Sequence, residues 1–126
     1  MKNLSLLIIC IAIGQAVISQ QTRYYTDSDE KFKDAKEYFQ KEKYSLAYPL
    51  LKELRQDIRE TNKVNQPIVV QEINYYTIVC ALKQNEGRAE EEAQQYIDVE
   101  KNNARVQMMN YHLAEYYFRT EKFEDA

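Results

Sequence analysis

The side chains in this sequence that could do chemistry are few, and their spacing does not build a catalytic or metal site. His112 is the only histidine, and its nearest acidic partner is Glu115, three positions later on the same helical face. A metal site or a general acid–base site needs further groups that this spacing does not supply. Cys80 lies in an apolar run, where a thiol packs as a small hydrophobic group and has no basic neighbour to activate it.

The other chemical signals are equally weak. Glu90–Glu92 form an acidic run at a predicted helix start. Carboxylates there interact favourably with the positive end of the helix dipole, and this explains the run better than metal binding does. The sequence has no glycine-rich phosphate loop, no G-x-S-x-G motif and no H-E-x-x-H motif. We therefore expect no catalytic residue, no cofactor and no metal in this chain.

Composition narrows the fold class and the kinds of partner. The 126 residues are 44% hydrophobic and 29% charged, which suits a folded chain, and the 2 glycines and 2 prolines are too few for a domain of many β-hairpins. The formal net charge of −3 argues against nucleic acid and against an anionic membrane surface, because both attract basic faces. We expect an all-α fold that binds neither.

The first residues differ in kind from the rest and predict a secretory signal over residues 1–19. Lys2 precedes the apolar run Leu4–Ile18, and Val17 and Ser19 are small enough for a signal peptidase. The alternative is a membrane anchor, but the 15 residues of this run are short of the ~20 that a spanning helix needs.

Cleavage before Gln20 would leave residues 20–26 as a short polar lead-in. The remaining chain would hold 16 basic and 20 acidic residues, a net charge of −4. Cys80 would be its single cysteine, so no internal disulfide could form and the fold would depend on its apolar core. We expect an exported protein of the periplasm or cell envelope that does not insert into a membrane after cleavage.

Apolar residues recur every three or four positions in the rest of the chain, which predicts amphipathic helices joined by short turns. The first helix begins at a cap among Asp27–Asp29 and ends near Glu42. The second is capped by Ser45, with Pro49 in its first turn, where a missing amide is tolerated. The third begins at Pro67 and is apolar on all sides, so we expect it to be buried between neighbours.

The remaining chain predicts one turn and three further helices. The turn is Asn85–Gly87, in which Gly87 supplies a positive φ angle. A fourth helix runs from about Arg88 to Lys101, a fifth from about Ala104 to Arg119, and a sixth begins at Phe123.

Two stretches of the sequence, 79 residues apart, are nearly the same. AKEYFQKEKYSLA spans Ala35–Ala47, AEYYFRTEKFEDA spans Ala114–Ala126, and 6 of the 13 aligned positions are identical. In each stretch a small residue and a tyrosine precede the turn, and an aromatic residue and an alanine follow it. Small residues let two helices approach and aromatic rings fill the space between them, so the duplication predicts stacked helical hairpins.

This pattern, small-x-x-Tyr and then aromatic-x-x-Ala, resembles the tetratricopeptide repeat. Tyr75-Tyr76 followed by Cys80–Leu82, together with YHLAEYYFRTEKFEDA at the end of the chain, is similar more loosely to long secreted tetratricopeptide proteins of the bacterial cell envelope. The resemblance implies a right-handed α-solenoid of antiparallel helical hairpins, about two and a half repeats long.

The resemblance also divides the chain into units. These would be repeat 1 over residues 27–66, a degenerate repeat 2 over 67–103 and a truncated repeat 3 over 104–126, with further repeats of the same chain expected beyond Ala126. The residues that the family pattern assigns to repeat packing are Ala35, Tyr38, Tyr44, Ala47, Cys80, Ala93, Ala114, Tyr117, Phe123 and Ala126.

In this family the first helices of the hairpins line a concave groove for peptides or protein segments. The resemblance therefore implies a non-enzymatic scaffold that binds a protein or peptide partner. The alternatives are a non-catalytic module of a longer envelope enzyme, a self-associating helical rod, and, for the aromatic residues, simple packing against neighbouring repeats. The groove positions carried over are Phe32, Lys36, Phe39 and Gln40 in the first unit and Met108, Tyr111, Glu115, Phe118 and Arg119 in the third.

Overall fold

The structure, a computed structural model, describes residues 27–61 and 67–122. Within these ranges it contains helices and turns and no strand, which confirms the all-α fold class. The predicted signal segment 1–19, the lead-in 20–26 and the packing residues Phe123 and Ala126 lie outside the described residues. The helices are α1 (Ser28–Gln40), α2 (Tyr44–Thr61), α3 (Pro67–Lys83), α4 (Ala89–Val99) and α5 (Asn103–Arg119).

Helix α3 lies at the centre of the fold and touches all four other helices. Consecutive helices pack against each other, and α1 and α5 also contact α3 directly. Across the described residues, α2 and α4 make no close backbone contact with each other. The central position explains why α3 has no polar face: seven of its residues are buried, namely Ile73, Thr77, Ile78, Val79, Cys80, Ala81 and Leu82.

The one polar side chain in that buried set is satisfied locally. The Thr77 hydroxyl donates a hydrogen bond to the Ile73 carbonyl at 2.6 Å, so its burial leaves no unpaired donor. Each fully buried Leu or Ile beside it contributes about 1.5–3 kcal/mol relative to an exposed side chain. Covering α3 is therefore one of the main sources of stability of this small fold.

Helices α1, α3 and α5 end in the same type of turn. In each, a backbone amide donates to the carbonyl five residues earlier, and the residue before that amide has a left-handed backbone, which is the Schellman cap. The amide–carbonyl pairs are Lys43–Tyr38 at 2.8 Å, Glu86–Ala81 at 3.0 Å and Lys122–Tyr117 at 2.9 Å. The left-handed residues are Glu42 (φ 56°), Asn85 (φ 57°) and Glu121 (φ 62°).

The caps correct one prediction and allow α1 and α3 to be aligned at their ends. Gly87 has no positive φ angle; Asn85 takes that conformation instead, because a short polar side chain tolerates it. Ala35 lies seven residues before the left-handed residue of its turn, and Ile78 holds that place in α3. Cys80 lies two positions later than the family pattern would put the equivalent of Ala35.

The helix starts agree with the sequence in part. The Asp27 side chain caps α1 by accepting from the Asp29 amide at 3.1 Å, and α3 begins at Pro67, both as predicted. Helix α2 begins at Tyr44, so Ser45 is inside the helix and the predicted Ser45 cap is wrong. Pro49 is then the sixth helical residue, beyond the first turn, and the carbonyl four positions before it loses its helical partner.

Two apolar clusters form the core. In the first, Ala35 of α1 and Ala47 of α2 are both fully buried, together with Leu51 and Cys80. The second joins α3, α4 and α5 and includes Ala93, Tyr117 and Met109. Tyr38 and Tyr44 are half-buried against the first cluster, and Ala114 is half-buried although its counterpart Ala35 is fully enclosed.

Candidate functional site

A chain of five aromatic rings runs across α1, α3 and α5; four of the rings are partly buried and Tyr111 is exposed. We call these residues the aromatic ladder. Neighbouring ring centroids lie 5.5 to 6.4 Å apart, within the range in which aromatic pairs attract each other. The order of rings is Phe32, Tyr76, Tyr75, His112 and Tyr111.

At the α1 end, a lysine sits over the ladder. The Lys36 ammonium lies 5.6 Å from the centroid of the Phe32 ring and 6.0 Å from that of Tyr76, which are cation–π distances. It also reaches Glu72 of α3 at 3.4 Å. Phe39 packs against Tyr76 with centroids 4.6 Å apart, so this end of the ladder is held tightly.

At its two α3 rings, Tyr75 and Tyr76, the ladder borders a small open pocket between α3 and α5. The pocket has a volume of about 220 Å³ and is mostly apolar. The Met108 side chain, which is 49% exposed, and the two tyrosines of α3 supply its apolar wall, and Glu72 and Arg105 stand at its edge. Arg105 is held by a hydrogen bond from its Nη1 to the Gln71 side-chain oxygen at 2.8 Å. Such a pocket can take one apolar side chain of a partner.

An ion pair fixes the spacing of α3 and α5 beside the ladder. The Lys83 ammonium donates to both carboxylate oxygens of Glu115, at 2.6 and 2.7 Å. This contact lowers the pKa of Glu115 below its ordinary value, since the lysine stabilises the ionised carboxylate. Lys83 also lies 5.6 Å from the Tyr44 ring, which places its ammonium between α2 and α5.

His112 is a structural member of the ladder. Its side chain is largely buried, and its Nδ1 atom makes no hydrogen bond among the described residues. Burial, and then the nearby Lys83 charge, lower its pKa, so the imidazole is neutral at pH 7. The described residues hold no group of three His, Cys, Asp or Glu side chains that could bind a metal.

The nine predicted groove residues fall into two groups. Phe32, Lys36 and Phe39 are half-buried and take part in helix packing, as does Glu115 through its ion pair. Arg119 donates to the Leu82 carbonyl and to the Asn85 side chain, so it ties α5 to the end of α3. The remaining predicted residues are exposed: Gln40, Met108, Tyr111 at 62% and Phe118 at 72%.

Sequence reasoning missed five residues that complete this surface. Three of them, Glu72, Tyr75 and Tyr76, lie in α3, which the repeat pattern matches poorly. Arg105 lies before the duplicated stretch in α5. His112 was considered for metal binding and not for stacking. The adjacent tyrosines at 75 and 76 in an otherwise aliphatic helix were the one available signal.

The single free cysteine of the described residues has no part in this site. Cys80 is fully buried in the first core cluster, and burial raises the pKa of its thiol to about 12. No described helix combines the length and apolar character that crossing a bilayer requires. Comparison of the chain with protein-family models, curated proteins and solved structures gave no match.

Proposed function

We propose that this chain is a non-enzymatic module for protein–protein interaction, built as a right-handed α-solenoid of tetratricopeptide-like hairpins and exported to the cell envelope. The observation that carries the proposal is the aromatic ladder, which joins exposed aromatic surface on α5 to packed rings on α1. Tyrosine and arginine are among the residues that contribute most often to strong binding at protein interfaces.

The helix contacts support a stacked architecture. Helices α1, α3 and α5 each end in the same cap, α3 contacts both α1 and α5, and α2 and α4 remain apart across the described residues. Repeated hairpins whose first helices lie side by side would produce this arrangement.

The ladder also supplies a mode of binding. A partner segment would lay an apolar side chain into the 220 Å³ pocket beside Met108 and pack along the Tyr111 ring. The ion pairs Lys36–Glu72 and Lys83–Glu115 are already formed on this surface, so association loses little entropy from these side chains.

Site-specific photo-crosslinking tests the proposal. A photoreactive phenylalanine analogue would replace Tyr111 in one version of the full chain and Leu46, which is 49% exposed on α2, in the control version. We expect a discrete protein adduct in envelope extract from position 111 and none from position 46. Equal labelling at both positions, or no adduct at position 111, would reject a binding role for the ladder.

A further inference from the structure

Two exposed rings of α5 stand where α1 carries the rings that hold α3. The left-handed residues at the ends of α1 and α5 are 79 positions apart, so the two helices can be aligned at their caps. In that alignment Tyr111 takes the place of Phe32, and Phe118 takes the place of Phe39. We call Tyr111 and Phe118 the outer face of α5. It has the residue types and the spacing of a surface that packs a helix in this same fold.

In α1 this pair of positions holds one aromatic ring of α3. The centroid of the Tyr76 ring lies 6.4 Å from that of Phe32 and 4.6 Å from that of Phe39. The two α1 rings are seven residues apart, which is two helical turns, so both lie on one side of the helix. The contact of α1 with α3 is therefore built around one ring of α3 that lies between two rings of α1.

On α5 the corresponding rings are open to solvent. Tyr111 is 62% exposed and Phe118 is 72% exposed, whereas their counterparts in α1 are both half-buried. Exposed apolar side chains that lie together on one face mark surfaces that bind other molecules. The outer face therefore has room for a ring in the place that Tyr76 occupies on α1.

The charged position between the rings adds no charge preference. In α1 it is Lys36, which reaches Glu72 of α3 at 3.4 Å. In α5 it is Glu115, which Lys83 already holds at 2.6 Å. Recognition at the outer face must therefore come from the shape and apolar character of the two rings.

We infer that the outer face of α5 docks an α-helix of a partner protein, with an aromatic side chain of that helix placed between Tyr111 and Phe118. The inference rests on the proposed function and names the form of its partner. The contact of α3 with α1 is the template, because the same pair of positions already binds a helix there. A second copy of the chain fits less well, since the exposed Phe and Tyr side chains of the described residues are those of the outer face itself.

The sequence of α3 supplies a probe for binding to the full chain. The probe is a dye-labelled peptide of residues 67–83 with Glu72→Gln, Cys80→Ala and two lysines added at each end, followed by fluorescence anisotropy. We expect saturable binding, and a loss of at least about fivefold when the peptide also carries Tyr76→Ala.

Substitutions in the chain locate the peptide. Phe118→Ala should weaken binding by at least about fivefold. Leu46→Ala, at a 49% exposed apolar position on α2, should weaken it by less than about twofold. Circular dichroism checks that both variants keep their helix content.

Photo-crosslinking in envelope extract measures the conformation of the partner. A photoreactive phenylalanine analogue is placed at position 111 in one version of the chain and at position 118 in another, about 10 Å further along α5. A helical partner should be captured at two of its residues about seven apart, and an extended partner at residues about three apart. Mass spectrometry of the adducts identifies the captured residues.

The outcomes separate this inference from the proposed function. An adduct with captured residues about three apart, or one that joins two copies or two parts of the same chain, would overturn the helical partner. So would a peptide that does not bind, or one whose binding survives Tyr76→Ala in the peptide or Phe118→Ala in the chain. None of these results touches the proposed role of Tyr111 in binding a protein, whereas the absence of an adduct at both positions would reject the two together. Ring-dependent peptide binding with a capture spacing of about seven residues would support the inference.

Discussion

Glu42 and Glu121 hold the same left-handed backbone conformation 79 residues apart, with φ angles of 56° and 62°. Each is followed by an amide that closes the Schellman bond of its turn. Left-handed backbone costs a residue with a Cβ atom about 1–2 kcal/mol, and only Gly, Asn and Asp adopt it readily. The duplicated segments therefore carry the same local strain, which the hairpin geometry imposes.

The shared strain predicts that Glu42→Gly stabilises the fold. Glycine removes the backbone strain of about 1–2 kcal/mol from the folded state. It also stabilises the unfolded state by about 0.4–1 kcal/mol, because its chain is more flexible there. The net gain in unfolding free energy is therefore about 0.5–1 kcal/mol. Urea denaturation of the two proteins, followed by circular dichroism, measures the difference. A destabilised variant would mean that the Glu42 side chain contributes a contact worth more than the strain.

Gly87 is the matched control for that experiment. Its φ angle is not positive, and a Cβ atom added there would meet nothing within 4 Å. Gly87→Ala should therefore stabilise the fold by about 0.4–1 kcal/mol, because alanine has less freedom in the unfolded chain. One substitution introduces a glycine and the other removes one, yet both should raise the free energy of unfolding. A loss of stability on Gly87→Ala would therefore contradict the turn geometry.

The sequence predicted the helices well because their signals are local. The three-to-four spacing of apolar residues, Asp27 as a cap and Pro67 at a helix start each depend on a few neighbouring residues, and the structure has them as expected. The absence of a polar face on α3 correctly indicated that neighbours surround it.

The errors arose where tertiary packing overrides a local preference. Glycine is the usual left-handed residue, so Gly87 was the natural choice from sequence, but the Schellman bond from the Glu86 amide places Asn85 there. Ser45 is a good cap by residue type, yet α2 begins at Tyr44, whose ring packs edge-on to Phe39 with centroids 5.5 Å apart. The ladder could not be foreseen because it joins residues of three helices.

Unequal enclosure of two equivalent alanines predicts unequal tolerance of a larger side chain. Ala35 is fully buried against Ala47 and Leu51, so Ala35→Leu should destabilise the fold by about 1–3 kcal/mol through overpacking. Ala114 is half-buried, and Ala114→Leu should cost less than about 1 kcal/mol. Thermal melts of the two variants give the comparison; equal losses would mean that Ala114 is as enclosed as Ala35.

The buried thiol predicts slow chemical labelling. Burial raises the pKa of Cys80 to about 12, so at pH 8 the folded protein holds almost no thiolate, which is the reactive form. We expect Cys80 to react with a disulfide reagent only through opening of the fold, and to react at the rate of a free thiol in urea. Labelling in native buffer at the free-thiol rate would contradict the burial of α3.

His112 predicts a loss of stability in mildly acidic solution. Its folded pKa lies below the ordinary value of about 6.5, owing to burial and then to Lys83, while Glu115 opposes the shift. The unfolded chain therefore binds this proton at a higher pH than the folded chain does. The stabilising effect is complete above about pH 6.5 and is lost as the pH falls from there towards the folded pKa.

The replacement His112→Phe isolates this contribution, since a phenyl ring can keep the stacking on Tyr75 and Tyr111. Urea denaturation at about pH 7.5 and pH 5.5 should show a smaller fall in unfolding free energy for the variant than for the natural chain. The carboxylates of Glu92 and Glu115 have lowered pKa values and titrate below this window. An unchanged pH dependence in the variant would assign the effect to another group.

Tyr76 and Tyr111 belong to one aromatic ladder but should respond differently to substitution. Tyr76 contacts Phe32 and Phe39 and lies under the Lys36 ammonium, so Tyr76→Ala should cost about 2–3 kcal/mol of stability, somewhat less than removal of a fully buried aromatic ring. Tyr111 is 62% exposed, and Tyr111→Ala should change stability by less than about 0.5 kcal/mol.

For partner binding the order should be reversed: Tyr111→Ala should weaken binding more than Tyr76→Ala does. If the exposed ring is a binding residue, Tyr111→Ala keeps the melting temperature and loses capture of the protein that crosslinks at position 111, because aromatic residues at interfaces contribute about 1 kcal/mol or more. Leu46→Ala, at an exposed apolar position on α2, should keep both stability and capture. Retained capture by the Tyr111 variant would show that the exposed end of the ladder has no role in recognition, since its fold would be intact.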